Sequence, residues 1–188
     1  MTTIGFDQTL IARVASGLYN LQLGNATMDW ALEWVNGGNG TVSDLANQVY
    51  TRDFGAVSTA DVASILVTNL GITGAALVAA ATDTAKSYLD AAAPGARGAA
   101  VVELMNLFSG VTIAGYVPFV AAYNAQVAAA VQYAQTPGSI DVPLDQPESM
   151  EGKVFNLATG DAAGADVMRL TGDQDVRCLL YTSDAADE

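Results

Sequence analysis

Seven stretches in which apolar side chains recur every three or four residues, each bounded by glycine, proline or a capping motif, constrain the first 136 residues to a helical fold. Residues 7–23 carry Leu10, Val14, Leu18 and Leu21 at helical spacing, with Gly24 as the stop. Residues 27–36 place Met28, Ala31, Leu32 and Val35 on one face and Trp30 and Trp34, one turn apart, on another; GGNG at 37–40 breaks the run. Two short helices follow behind similar caps. Thr41-Val-Ser-Asp44 precedes Leu45, Ala46 and Val49, and Ser58-Thr-Ala-Asp61 precedes Val62, Ile65 and Leu66. In both, a hydroxyl can accept from free backbone N–H groups, and an aspartate three residues on favours the positive helix end. Residues 74–92 read as an Ala-rich helix closed by Pro94-Gly95. Residues 97–108 read as another, with Val101, Leu104, Met105 and Phe108 inward. Pro118 suits the first turn of a last helix reaching about Thr136, striped by Phe119, Tyr123, Val127 and Val131.

The pattern then changes. Residues 137–152 carry prolines and acids and read as a linker. Lys153 to Leu157 and Val167 to Leu170 read as short strands around TGDAAGAD, the start of a β-rich region over 153–177. The expected fold class is therefore mainly α, a multi-helix bundle over 1–136 followed by the truncated start of a β-rich region. Residues 178–188, CLLYTSDAADE, resemble one translated frame of a transposase sequencing adapter and are expected to have no structural role; the natural chain would then continue beyond Arg177 in a longer protein.

Composition narrows the chemistry. The 188 residues carry a formal net charge of −13 with only seven Lys and Arg, which argues against nucleic acid and against electrostatic attraction to anionic membranes, and favours divalent cations as counter-ions. There is no histidine, and the single cysteine, Cys178, lies in the adapter-like tail. A disulfide framework, a thiolate nucleophile, a Ser-His-Asp triad and imidazole–zinc sites are thereby excluded from residues 1–177. No Walker A, GxGxxG or GxSxG motif occurs. The start, MTTIGFDQTL, lacks the basic and apolar regions of a cleavable secretory signal. Val111 to Ala134 is apolar, but Pro118, Asn124, Gln126 and Gln132 interrupt it, so a buried amphipathic helix is expected rather than a membrane span.

Few residues stand out as sites. Asp29 and Glu33, one turn apart, have the spacing of a carboxylate pair and equally that of a solvated helix face. Trp30, Trp34 and Tyr19 read as helix–helix core, with a sugar-stacking platform as the functional alternative; Tyr123 and Tyr133 are treated likewise. Asp161, Asp166, Asp173 and Asp175 are hard oxygen donors in glycine-containing turns, the ligand class calcium prefers, and otherwise ordinary turn aspartates. No complete EF-hand pattern is present.

LYNLQLGNATMDWALEWVNGG (18–38), VSTADVASILVTNLGIT (57–73), the Ala-rich helices and VAAYNAQVAAAVQYAQT (120–136) resemble the helical N-terminal region of large bacterial surface-layer and repeat-in-toxin proteins. MDWALEWV (28–35) is a loose version of an aromatic helix found there, and KVFNLATGDAAGADVMRLTGDQDVR (153–177) resembles the entry into calcium-binding β-rich repeats, although no GGxGxDxUx nonapeptide is visible. The resemblance implies a secreted, non-catalytic module of an extracellular cell-surface protein, exported by a type I system. It would anchor the molecule to lipopolysaccharide or another surface glycan and take part in self-assembly, with calcium ordering the β-rich body. The other reading is the non-catalytic leader of a type I-secreted, calcium-dependent hydrolase whose active site lies beyond the fragment.

Overall fold

The structure, a computed structural model, describes residues 3–144. It is mainly α, with seven α-helices and one two-stranded antiparallel sheet among the described residues. The helices are α1 (Thr3–Tyr19), α2 (Asn25–Trp34), α3 (Val42–Phe54), α4 (Thr59–Asn69), α5 (Ala75–Ala91), α6 (Arg97–Phe108) and α7 (Val117–Ala134). The strands are β1 (Leu21–Gln22) and β2 (Val142–Pro143). The expected β-rich region at 153–177 and the tail at 178–188 lie outside the described residues.

The central element is α1, which packs on α2, α3, α4, α6 and α7. Its buried face, Ile11, Val14, Ala15 and Leu18, meets Leu66 and Val67 of α4, Val101 and Met105 of α6, and Tyr123 and Val127 of α7 in one continuous core. The stripes read from the sequence on α6 and α7 point inward: Val101, Met105, Tyr123 and Val127 are buried, and Leu104, Phe108, Phe119 and Val131 pack half-buried against them. Among the described residues no helix is long and apolar enough to cross a membrane.

Local chemistry explains the start of the two short helices. The Thr41 hydroxyl accepts from Asp44 N–H at 3.3 Å, while the Asp44 carboxylate accepts from Thr41 N–H at 2.8 Å, a complete capping box. The backbone N–H of Thr41, and then its hydroxyl, hold the Asp44 carboxyl below its ordinary range. Ser58 repeats half of the device, accepting from Asp61 N–H at 3.1 Å.

α1 stops earlier than its apolar spacing predicts. Asn20 takes a left-handed conformation (φ 49°) and turns the chain, so Leu21 lies in β1 rather than on a helix, although it is still buried. The competing demand is pairing: Leu21 faces Pro143 and Gln22 faces Val142, and Leu144 N–H donates to Asn20 O at 2.8 Å. The segment read as linker from 137 is thus bound to the helical body over 139–144; Asp141 and Val142 are buried.

Two glycines mark where backbones nearly touch. A Cβ on Gly98 would lie 2.1 Å from Ala46 O and 2.4 Å from Asn47 N, so α6 lies directly on the α3 backbone. The Asn47 side-chain oxygen accepts from Ala99 N–H at 2.7 Å across the same crossing. A Cβ on Gly24 would lie 2.4 Å from Ser139 O, where the 139–144 strap crosses the start of α2.

Candidate functional site

Two of the sequence candidates, Trp30 and Trp34, sit on α2, a helix with no side-chain cap from its own N-cap residue, Gly24. Its first turn is satisfied from the far end of the chain. The Asp141 carboxylate accepts from Gly24 N–H at 2.6 Å through one oxygen and from the Thr27 hydroxyl at 2.9 Å through the other. Asn25 N–H donates to the Ser139 hydroxyl oxygen at 2.9 Å, and Asn25 Nδ2 donates to Ala134 O at 3.1 Å. The strap is held in turn by α7. The Ser139 hydroxyl donates to Tyr133 O, and the Tyr133 hydroxyl donates to Ile140 O, both at 3.0 Å. A buried carboxylate at a helix N-terminus meets both the unpaired N–H groups and the positive end of the helix dipole. Tyr133 therefore anchors the strap that positions the tryptophan helix.

α2 buries Thr27, Met28, Ala31 and Leu32, leaving Trp30 and Trp34 half-buried one turn apart on a neighbouring face. Trp30 lines an apolar cavity of about 60 Å³ between α1, α2 and α3, with Ile11, Val14, Tyr19, Leu45 and Val49 among its walls. The chain after α2 folds back over Trp34. A five-residue π-helical turn, Val35–Asn39, ends at Gly40, where an added Cβ would lie 3.0 Å from Trp34 Cη2. Gly38 (φ 81°) provides the left-handed step inside that turn. Both tryptophans thus pack against the core and remain half-buried.

Tyr19, the third aromatic residue singled out, has a different role. Its hydroxyl donates to Asp53 at 2.6 Å, and the same buried carboxylate takes a bidentate pair from Arg52 at 2.7 and 2.8 Å. The Tyr19 ring meets Phe54 edge-on with centroids 5.4 Å apart. Burial first, and the Asp53 charge second, push the Tyr19 phenol well above its ordinary range. Burial does the same to Tyr123, whose hydroxyl donates to Arg13 O at 3.0 Å.

Asp29 and Glu33 are both exposed on α2. Asp161, Asp166, Asp173 and Asp175 lie outside the described residues, and among the described residues no three acidic side chains gather closely enough to hold a metal ion. Sequence reasoning missed Asp141, Ser139 and the Tyr19–Asp53–Arg52 cluster. One available signal for the first was the absence of a capping side chain at position 24, which requires that the α2 amides be met from elsewhere.

The fold defines a mainly α bundle with one aromatic-bearing helix held by a distant acidic strap. No family model, curated protein or solved structure matches the chain.

Proposed function

We propose that the helical body is a non-catalytic module that attaches a secreted bacterial cell-surface protein to a surface glycan, with Trp30 and Trp34 as its stacking platform. The observation that carries this reading is the pair of half-buried tryptophans one turn apart on a helix fixed at its start by a buried carboxylate. A rigid aromatic surface binds a sugar ring at low entropic cost because little ordering is left to binding. The surface-layer resemblance supplies the cellular setting: export by a type I system and a place at the cell surface.

With a net charge of −13, the chain is not drawn to anionic lipopolysaccharide by charge. Neutral sugars stacked on Trp30 and Trp34 avoid the repulsion. Calcium shared between protein carboxylates, Asp161, Asp166, Asp173 and Asp175 among them, and sugar or phosphate oxygens would bridge it, since calcium accepts many oxygen ligands in flexible geometry. The two routes separate in one experiment. The full chain is sedimented with outer-membrane glycolipid vesicles in calcium and then in chelator. Binding that persists in chelator and weakens at least about tenfold in Trp30→Ala and Trp34→Ala supports stacking. Binding lost in chelator supports the calcium bridge. Circular dichroism separates loss of the platform from loss of the fold, because Trp30 also lines a cavity. Absence of binding in both conditions would remove the anchoring role.

A further inference from the structure

Residues 139–144 meet residues 20–27 in reverse order. Leu144 N–H donates to Asn20 O at 2.8 Å, Pro143 faces Leu21 and Val142 faces Gln22. Asp141 then accepts from Gly24 N–H and the Thr27 hydroxyl. Ser139 accepts from Asn25 N–H through its hydroxyl at 2.9 Å and its backbone oxygen at 3.2 Å. Contacts in such a row break one after another when the chain is lifted from the Leu144 end, because each is loaded only after its neighbour has gone.

The hold is polar and short-ranged. Val142 is the buried apolar side chain of the strap, whereas the bundle is held by burial spread over α1, α4, α6 and α7. Segments with few buried apolar contacts open locally at lower cost than the core. Peeling also has a built-in stop. Tyr133 ties both Ser139 and Ile140 to α7, so residues 141–144 can leave while 139 and 140 stay docked. With them goes the acceptor for the first turn of α2. That helix lies between Gly24 and the glycine-containing turn Val35–Asn39, and its own buried residues are Thr27, Met28, Ala31 and Leu32.

We propose that residues 141–144 are a tension-sensitive latch. Load on the chain beyond Leu144 peels them from β1, takes Asp141 away from Gly24 and Thr27, and loosens the tryptophan helix while the rest of the bundle stays folded. The strap re-seats from its anchor on Tyr133 when the load falls. The chain that follows the strap is thereby coupled to α2. The consequence for attachment rests on the reading of α2 as a glycan platform; the latch itself needs no glycan.

The test is magnetic-tweezers pulling of the full chain without glycan. The handles are at the N-terminus and at Asp145→Cys in a Cys178→Ser background, so that the chain past the strap carries no load. A reversible step should precede unfolding of the bundle. Residues 141–144, extended at roughly 3.3–3.6 Å each, give it a length of about 14 Å. Asp141→Ala should raise the ratio of open to closed latch at a given force roughly ten- to a hundredfold, the worth of hydrogen bonds to a charged acceptor. Ser139→Ala removes a milder contact and should shift the ratio in the same direction, which keeps the test open should Asp141→Ala fail to fold. Gly98→Ala should lower the force of bundle unfolding and leave the early step in place. A single unfolding event with no earlier step, or an early step unmoved in both strap variants, would overturn the latch. Either result is read apart from glycan binding.

Discussion

Asp141→Ala is expected to lower the stability of the chain by about 3 kcal/mol, seen as a shift of the urea midpoint with little change in slope. Asp141 is 1% exposed, and its two oxygens satisfy Gly24 N–H and the Thr27 hydroxyl, both in the first turn of α2. Alanine would leave these donors buried beside a cavity without an acceptor. Each orphaned donor costs about 1–3 kcal/mol, and the favourable interaction of a carboxylate with the helix dipole is lost as well. Asp141→Asn keeps one acceptor oxygen and should lose roughly half as much. The damage should also be local, with hydrogen exchange at Gly24 and Asn25 accelerating before exchange in α6. Stability of Asp141→Ala within about 0.5 kcal/mol of the parent would show that the strap does not hold α2.

Gly98→Val should be more damaging still, with a loss above about 3 kcal/mol or failure to accumulate folded protein. Even the Cβ of alanine would lie 2.1 Å from Ala46 O, and the obstacle is backbone, which cannot rotate away. The α3–α6 crossing would have to open, breaking the hydrogen bond from Ala99 N–H to Asn47 and exposing Val101 and Ala46. Replacing glycine by alanine within a helix gains up to about 1 kcal/mol in propensity, so Gly98→Ala sets the two effects against each other, and the clash should win. Gly95→Ala is the control. A Cβ there meets nothing within 4 Å, and its effect should stay within about 0.5 kcal/mol. Thermal unfolding of the three variants checks the ranking; a Gly98→Ala protein as stable as Gly95→Ala would contradict the tight crossing.

These two positions mark the boundary of what the sequence reveals. Features set by neighbours in the chain were legible. The Thr41 and Ser58 caps, Pro118 in the first turn of α7 and the inward stripes of α6 and α7 all depend on residues within one or two turns of each other. Features set by distant partners were not. Asp141 caps a helix whose N-cap residue, Gly24, lies 117 residues earlier, and in the sequence it appears only as an acid among prolines. Gly98 looks like an ordinary helical glycine until α3 is laid across it. α1 is shortened by a two-residue sheet whose second strand lies near the end of the described chain. Trp30 and Trp34 fell between the alternatives read for them. Helical spacing placed them together, but their half-burial depends on α1, α3 and the turn through Gly40.

Trp30 and Trp34 are the two tryptophans of the whole sequence, so intrinsic fluorescence reports directly on the proposed glycan platform. The decisive measurement is a titration of the full chain with lipid-free surface polysaccharide, following tryptophan emission first in chelator and then with calcium added. A saturable shift in emission, diminished in Trp34→Phe and not reproduced by an unrelated neutral polymer, is the predicted result. Emission that stays unchanged at saturating polysaccharide, with and without calcium, would contradict glycan binding through α2.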